Sequence, residues 1–291
     1  MARKLIAATA CLVASLACAE ASANTSASAS LSLLEIQLFD LDPADGITPG
    51  VSFTATQGTT ASSNVSYGPS FYLYEMNNGA GAFGTVAANA APLNDVVGAS
   101  ASISGSPFAA GGLSLVTSAF ANATGNTLGS SGAILRDGPY PESFLLTPET
   151  RMVISAAATA TASADQWPMY YEQATGNLLL QLAGVTSDGP QSSTAQLLAT
   201  VGDGYGPSSF DSASGELSVS FVNATASSSS GTFVGQAMSY AYTLAPAVPE
   251  PANGTLLLLA LGAFGLHSMR RRPRASAAFG AKRGRRPANP S

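Results

Sequence analysis

Three aspartates fall close together in the chain, and carboxylate oxygens are the ligands that Ca²⁺ prefers. Asp40, Asp42 and Asp45 lie in the segment Asp-Leu-Asp-Pro-Ala-Asp-Gly, which ends at Gly46. The spacing departs from the D-x-D-x-D-G calcium loop, because Ala44 stands where the third aspartate belongs. Asp45-Gly46 also suits the end of a tight turn. The sequence therefore leaves a calcium site and a plain turn both open, and it predicts no other cofactor.

The densest aromatic patch surrounds Trp167, the only tryptophan of the chain. Tyr170 and Tyr171 follow it, and Pro168 predicts a loop at this place. Flat exposed rings can stack on the face of a sugar, so these three residues form a candidate carbohydrate-binding patch. Further aromatic residues that could belong to a sugar-stacking surface are Tyr67, Phe71, Tyr72, Tyr74 and Tyr140. Packing in the core is the commoner fate of aromatic side chains and is the alternative interpretation.

Most catalytic chemistry is excluded by residue types. Between Asn24 and Ala247 the chain has no histidine, cysteine or lysine. This excludes Ser-His-Asp and Cys-His catalysis, Schiff-base chemistry, and metal binding by imidazole or thiolate. Paired carboxylates could still hydrolyse a glycosidic bond, but nothing in the sequence selects a pair. We therefore expect no catalytic residues, and a carboxylate-dependent glycoside hydrolase is the least favoured alternative.

The region from 24 to 247 is strongly acidic. It carries 15 of the 17 acidic residues, whereas Arg136 and Arg151 are its only basic residues, which gives a net charge of 2 − 15 = −13. Nucleic-acid binding needs clustered lysine and arginine to neutralise phosphates. A nucleic-acid partner is therefore not expected.

The same region has the sequence pattern of many short strands separated by turns. Alternating apolar residues predict strands at 31–41, 51–54, 71–74, 113–120, 152–162, 178–182, 195–201, 217–222 and 232–244. Residues 24–30 are interpreted as a polar leader. Turns are expected at 43–46, 77–79, 175–177, 187–190 and 212–215, where Gly, Asp, Asn and Ser cluster. This pattern predicts a mainly β domain over 24–245, an antiparallel β-sandwich with a jelly-roll-like arrangement.

The beginning of the chain has the three parts of a secretory signal peptide. Arg3 and Lys4 are its charged start, residues 5–17 are apolar but too few to span a bilayer, and small residues end it at Ala23. We predict a signal peptide over 1–23 and an exported domain beginning at Asn24. Cys18 as a lipid acceptor is the alternative form of processing.

An uncharged apolar run lies near the other end. Residues 252–269 would form a helix about 27 Å long, close to the hydrocarbon thickness of a bilayer. The run is preceded by Pro249-Glu250-Pro251 and followed by Arg270, Arg271 and Arg272. The arginines should hold the C-terminal side of a transmembrane helix in the cytoplasm. The residues that follow, 275–291, are expected to form a disordered basic tail.

The order Pro-Glu-Pro, apolar helix and arginine cluster resembles the PEP-CTERM sorting signal of Gram-negative bacteria that make exopolysaccharide. The resemblance covers residues 246–274, about a tenth of the chain. It implies recognition and processing by an exosortase at Pro249, Glu250 and Pro251, with Arg270 to Arg272 as the cytoplasmic flank. The tail after Arg274 departs from the usual pattern.

Together these features imply a precursor held in the inner membrane and a product at the cell surface or outside the cell. A structural or adhesive protein of the surface or extracellular matrix is the favoured expectation. A carbohydrate-binding module of the exopolysaccharide matrix, aided by calcium, is the alternative. The implied partners are the exosortase, the inner membrane during sorting, and exopolysaccharide.

Overall fold

A computed structural model describes residues 23–54, 58–91, 96–123, 126–135, 142–165, 171–202 and 209–244. The chain divides after Pro246 into two compact units, and all described residues belong to the first. The predicted signal peptide, the apolar run 252–269 and the basic tail lie outside the described residues. No described segment forms a helix with the length and hydropathy needed to cross a membrane.

All regular structure in the described residues is β-strand. Fourteen strands follow one another: β1 Ala23–Asp40, β2 Val51–Thr54, β3 Thr59–Tyr67, β4 Phe71–Gly79, β5 Val86–Ala90, β6 Val97–Gly105, β7 Leu113–Ala123, β8 Thr127–Leu135, β9 Glu142–Leu146, β10 Thr150–Ala164, β11 Tyr171–Thr186, β12 Gly189–Gly202, β13 Ser209–Asn223 and β14 Ser229–Leu244.

The strands form two antiparallel sheets. The six-stranded sheet has the order β13-β10-β1-β7-β6-β5, and the eight-stranded sheet has the main order β12-β11-β14-β8-β3-β4. The short strands β9 and β2 are the remaining two members of the eight-stranded sheet. Strand β9 pairs with the start of β14, and β2 pairs with β9. One hydrophobic core contains buried side chains from both sheets. The predicted mainly β, antiparallel sandwich is therefore confirmed.

The core is built largely from small side chains. Strand β10 buries every second residue: Met152 and Ile154 first, then alanines through Ala164. Phe144, Phe221 and Phe233 fill one region as the largest buried rings, with Phe144 and Phe221 in edge-to-face contact at 5.3 Å. Buried hydroxyl pairs also link the sheets, at Thr25–Thr243 (2.6 Å) and Thr117–Ser239 (2.7 Å).

The sheets approach closely at Gly176, and this corrects the turn expected at 175–177. A Cβ atom on Gly176 would lie 2.4 Å from the carbonyl oxygen of Ser28 in the opposite sheet. The glycine is therefore needed in the middle of β11, where a larger residue would push the sheets apart. The sequence predicted a turn there because Thr-Gly-Asn has turn composition.

Two other segments of small polar residues are strands, against expectation. The supposed polar leader 24–30 belongs to β1, and the supposed turn 212–215 lies inside β13. Their hydroxyls pair across strands, as in Ser26–Ser163 and Ser28–Thr161, both at 2.7 Å. Serine thus replaces larger β-forming residues on the outer face of the six-stranded sheet, which removes the apolar alternation that marks a strand.

Side chains close the two seams where the edges of the sheets meet. At the first seam, the Gln191 amide of β12 donates to the carbonyl oxygen of Val222 (2.8 Å) and accepts from its N–H (3.2 Å). Asp211 of β13 accepts from the N–H of Thr200 at 2.9 Å. These bonds take the place of a backbone ladder between β12 and β13.

The second seam joins β4 to β5 in the same way. The Glu75 carboxylate accepts from the N–H of Asn89 (2.9 Å), and the Asn77 amide donates to the carbonyl of Ala87 (2.7 Å). The Asn77 amide also donates to Glu75 at 2.8 Å, which holds both side chains in place. The expected turn at 77–79 is wrong, because these residues continue β4 along this seam.

Asn223 organises the end of the sandwich between β13 and β14. Its side chain is fully buried, and its amide donates to the carbonyls of Thr147 (2.8 Å) and Ser227 (2.9 Å). Its oxygen accepts from the hydroxyls of Thr225 (2.7 Å) and Ser229 (2.8 Å). One side chain therefore fixes the turn after β13 and ties it to the segment that leads into β10.

Candidate functional site

The three clustered aspartates lie in an exposed turn after β1. The N–H groups of Asp42, Ala44 and Ile47 donate to the carboxylates two residues earlier, at 3.0, 3.1 and 2.6 Å. Each of Asp40, Asp42 and Asp45 thus stabilises the local backbone. Among the described residues, no three His, Cys, Asp or Glu side chains form a group that could hold a metal ion. The turn is confirmed, and calcium binding stays a prediction.

The aromatic patch predicted at Trp167 is described only at its last member. Trp167 and Tyr170 lie outside the described residues, as do the sorting residues Pro249, Glu250, Pro251, Arg270, Arg271 and Arg272. Tyr171 begins β11 with 41% of its surface exposed. Its ring contacts that of Tyr242 edge-to-face at 6.1 Å. Tyr171 therefore extends a row of tyrosines on the outer face of the eight-stranded sheet.

That face carries two aromatic walls of the same composition, brought together by strand register. On β4 the outward side chains are Tyr72, Tyr74 and Met76, and on β14 they are Met238, Tyr240 and Tyr242. The pairing through β3 and β8 places them in three cross-strand rows: Met76 with Met238, Tyr74 with Tyr240, and Tyr72 with Tyr242. Three strand spacings separate the walls, about 14 Å.

The floor between the walls consists of small polar residues. Ser62 and Gly132 form one row, Asn64 and Ser130 the next. Leu128 stands in the third row beside Ser66 and raises the floor there. An open cavity of about 320 Å³ occupies the first two rows, with Tyr74, Met238 and Tyr240 as its wall residues, and its lining continues onto β11 at Thr175 and Asn177. This volume lies within the range of small-molecule sites.

The described residues that line the groove carry no charge, because none of them is Asp, Glu, Lys or Arg. The Tyr240 and Tyr242 rings lie 6.3 Å apart, and Tyr240 is half-buried. Burial, with a smaller contribution from Tyr242, raises the pKa of the Tyr240 hydroxyl above its usual value. Tyr240 therefore stays a neutral hydrogen-bonding group at physiological pH.

One polar atom of the floor lacks a partner among the described residues. Asn64 Oδ1 is covered and accepts no hydrogen bond there. A buried acceptor without a donor costs free energy, which a donor supplied from outside would recover. A ligand hydroxyl could do this once the side chains over Asn64 shift.

Two carboxylates share a separate, shallow depression on the six-stranded sheet. Glu35 and Glu216 line it together with Leu33, whose φ of 54° belongs to a bulge in β1. The two glutamates stand on either side of β10, where Glu35 pairs with Ser155 and Glu216 with Ala157, so their backbones are about 12 Å apart. Nothing else in the lining identifies a catalytic role for them.

The walls of the groove correspond to two sequence patterns, Tyr-x-Tyr-x-Met at 72–76 and Met-x-Tyr-x-Tyr at 238–242. The sequence indicated Tyr72 and Tyr74 as candidate sugar-stacking residues but not Tyr240 and Tyr242, because only the strand register shows that the two segments face each other. The arrangement can bind a ligand that offers an apolar surface to the rings and hydroxyls to the floor. No protein-family model matches the chain, and no curated protein is significantly similar to it.

Proposed function

We propose that this chain is an exported structural or adhesive protein of the bacterial surface or extracellular matrix, sorted by an exosortase. The signal peptide 1–23 exports it, and the transmembrane helix 252–269 holds the precursor in the inner membrane. Processing near Pro249, Glu250 and Pro251 then delivers the domain 24–245. The domain itself is proposed as non-enzymatic, with a jelly-roll-like sandwich as its structural unit.

The observation that carries this proposal is that the fourteen strands of the described sandwich lie between the two proposed cuts, apart from Ala23 at the first cut. Strand β1 begins at Ala23, beside the proposed signal cleavage before Asn24. Strand β14 ends at Leu244, five positions before Pro249. Neither proposed cut removes any of the core residues in the described part of the chain, which run from Thr25 to Thr243. A cut inside β1 or β14 would expose the core, since both strands are central in their sheets.

The acidic character of the domain supports a place outside the cell without nucleic-acid partners. Its net charge of −13 disfavours association with phosphate backbones and keeps copies of the domain apart. The fold needs no disulfide, because the only cysteines, Cys11 and Cys18, lie in the proposed signal peptide. Burial and the hydrogen-bonded seams would then hold the exported domain.

Processing in the native host tests the proposal. Glu250→Ala, or deletion of the host's exosortase gene, should leave full-length precursor in the inner membrane. Glu216→Ala is the matched control, because it removes an exposed carboxylate from β13 and leaves the sorting signal intact. Intact-mass analysis of the membrane and extracellular fractions would follow both cuts. Normal amounts of Glu250→Ala protein outside the cell, without the C-terminal helix, would refute the sorting proposal.

A further inference from the structure

We infer that the tyrosine-walled groove on the eight-stranded sheet binds a neutral polysaccharide chain lying parallel to the strands. The inference deepens the proposed function and rests on it for the biological setting, because a matrix adhesive needs a surface that holds the polymer. Of the aromatic patch predicted from the sequence, the structure describes only Tyr171, which lies at the border of the groove.

The walls suit the apolar faces of sugar rings. Tyr72 and Tyr74 expose 65% and 50% of their surfaces, so both rings are accessible to a ligand. Aromatic rings combine a large apolar surface with a hydroxyl that can still form hydrogen bonds. The rings recur at alternate residues along each strand, about 7 Å apart. A chain of sugars along the groove would thus meet successive rings on both sides.

The floor suits the hydroxyl groups of such a chain. Ser62, Ser130 and Asn64 offer hydroxyls and an amide between the two walls. Thr175 and Asn177 continue this polar surface on β11. Hydroxyls and amides both donate and accept, as sugar hydroxyls do. Ligand sites usually combine apolar or aromatic walls with a few polar groups, and this composition suits a polar ligand with apolar faces.

The position of the groove excludes a peptide added as an extra strand. Strands β3 and β8 of the floor each have hydrogen-bonded neighbours on both sides, so no backbone edge is open within the groove. Strand addition requires such an edge. An amphipathic helix would need an apolar floor, whereas two of the three rows of this floor contain serine, asparagine and glycine and only the third contains a large apolar residue, Leu128. The occupant must therefore be recognised through side chains alone.

Charge selects a neutral polymer. The lining carries no basic group that could pair with a uronate, sulfate or phosphate. The domain around it has a net charge of −13, which repels anionic polymers over a distance of several ångströms at physiological salt. An uncharged polysaccharide needs no basic partner in the groove and is not repelled by the acidic domain. The walls run over three rows, about 14 Å along the strands, so an extended chain fits better than a single sugar.

Affinity electrophoresis of the purified full-length chain tests the inference. The chain is kept in a polyoxyethylene detergent, which contains no sugar that could compete. Native gels contain hydroxyethylcellulose, galactomannan or dextran as neutral probes, and alginate as the anionic probe. We expect retardation by at least one neutral probe and none by alginate.

Variants locate the binding. Tyr74→Ala and Tyr240→Ala should each weaken retardation about tenfold, which corresponds to about 1.4 kcal/mol. Tyr74→Phe keeps the ring and should bind within about twofold of the unchanged chain. Phe210→Ala is the control, because Phe210 is 69% exposed on the other sheet. Tyr74 is at an exposed position of β4, so its substitution tests the groove even if Tyr240→Ala affects folding.

Three results would overturn the inference: no retardation in any neutral gel, retardation by alginate alone, or retardation that Tyr74→Ala leaves unchanged. These results are independent of the sorting experiment, which follows processing in the host. A chain that binds the neutral probe but is not processed by an exosortase would refute only the proposed function. A chain that is sorted normally and binds none of the probes would refute only the groove.

Discussion

The Asn223 side chain gives the sharpest test of how one end of the sandwich is held. Asn223→Ala removes four short hydrogen bonds, two donated to the carbonyls of Thr147 and Ser227 and two accepted from Thr225 and Ser229, and a longer one to the Leu146 carbonyl at 3.5 Å. Each such bond contributes about 1 kcal/mol net. Thr225 is partly exposed and can turn to water, whereas Ser229 is buried and cannot. We therefore expect a loss of about 3 kcal/mol, which lowers Tm by about 6–12 °C in a domain of this size.

Urea unfolding of the full-length chain in detergent, followed by far-ultraviolet circular dichroism, measures this loss. Asn122→Ala is the matched control, because Asn122 is exposed on β7 and its removal should change the free energy of unfolding by less than about 0.5 kcal/mol. Asn223→Asp keeps an acceptor but loses both donors, so it should also destabilise. A loss below about 1 kcal/mol for Asn223→Ala would mean that the network does not hold this end of the fold.

Three further predictions test other features. Gly176→Ala places a Cβ atom 2.4 Å from the carbonyl oxygen of Ser28 and should lower the free energy of unfolding by about 1–3 kcal/mol, as measured by calorimetry. Gly215→Ala is the control and should cause no such loss, because its Cβ atom would have no atom within 4 Å. Equal melting temperatures would contradict the close approach of the sheets. Burial raises the pKa of Tyr240 in the folded state. The stability that the neutral Tyr240 hydroxyl contributes is therefore complete below the unfolded pKa of 10.0, and it is lost as pH rises through the folded pKa. The Tyr240→Phe variant should therefore lose less stability than the unchanged chain as pH rises into the alkaline range. Parallel plots of Tm against pH for the two chains would refute this. Calcium should raise Tm only if the aspartate turn binds it, and Asp42→Asn should abolish that shift; titration calorimetry without heat at millimolar-order calcium would leave the turn without a ligand.

Sequence patterns predicted the strands that alternate large apolar and polar residues. Strands β2, β10 and β14 contain the predicted segments at 51–54, 152–162 and 232–244. Strands of small residues were missed, including β3 and β8, because serine and glycine are also typical of turns. In this fold those residues serve the sheets themselves, as Gly176 does where the layers meet. Composition alone does not distinguish a turn from a thinly packed strand.

The groove was beyond local sequence analysis for a different reason. Tyr74 and Tyr240 are far apart in the chain, and their alignment depends on the register of β3 and β8, two strands that the sequence did not predict. The sequence favoured Trp167 as a sugar-binding residue, because aromatic residues are densest in the segment around it. A search for mirrored patterns of alternating aromatic residues would have found both walls, but not that they face each other.

The side-chain seams have a consequence for how this protein could contribute to a dense matrix. Exposed sheet edges invite strand exchange and fibre growth between neighbouring copies. Here Gln191 engages the backbone of Val222 much as a strand from another molecule would, and Glu75 does the same for Asn89. The edges are thus occupied from within along these stretches. Strand exchange between crowded copies would then be disfavoured along these stretches, and cohesion of such a material could come from polymer held on the faces of the domain.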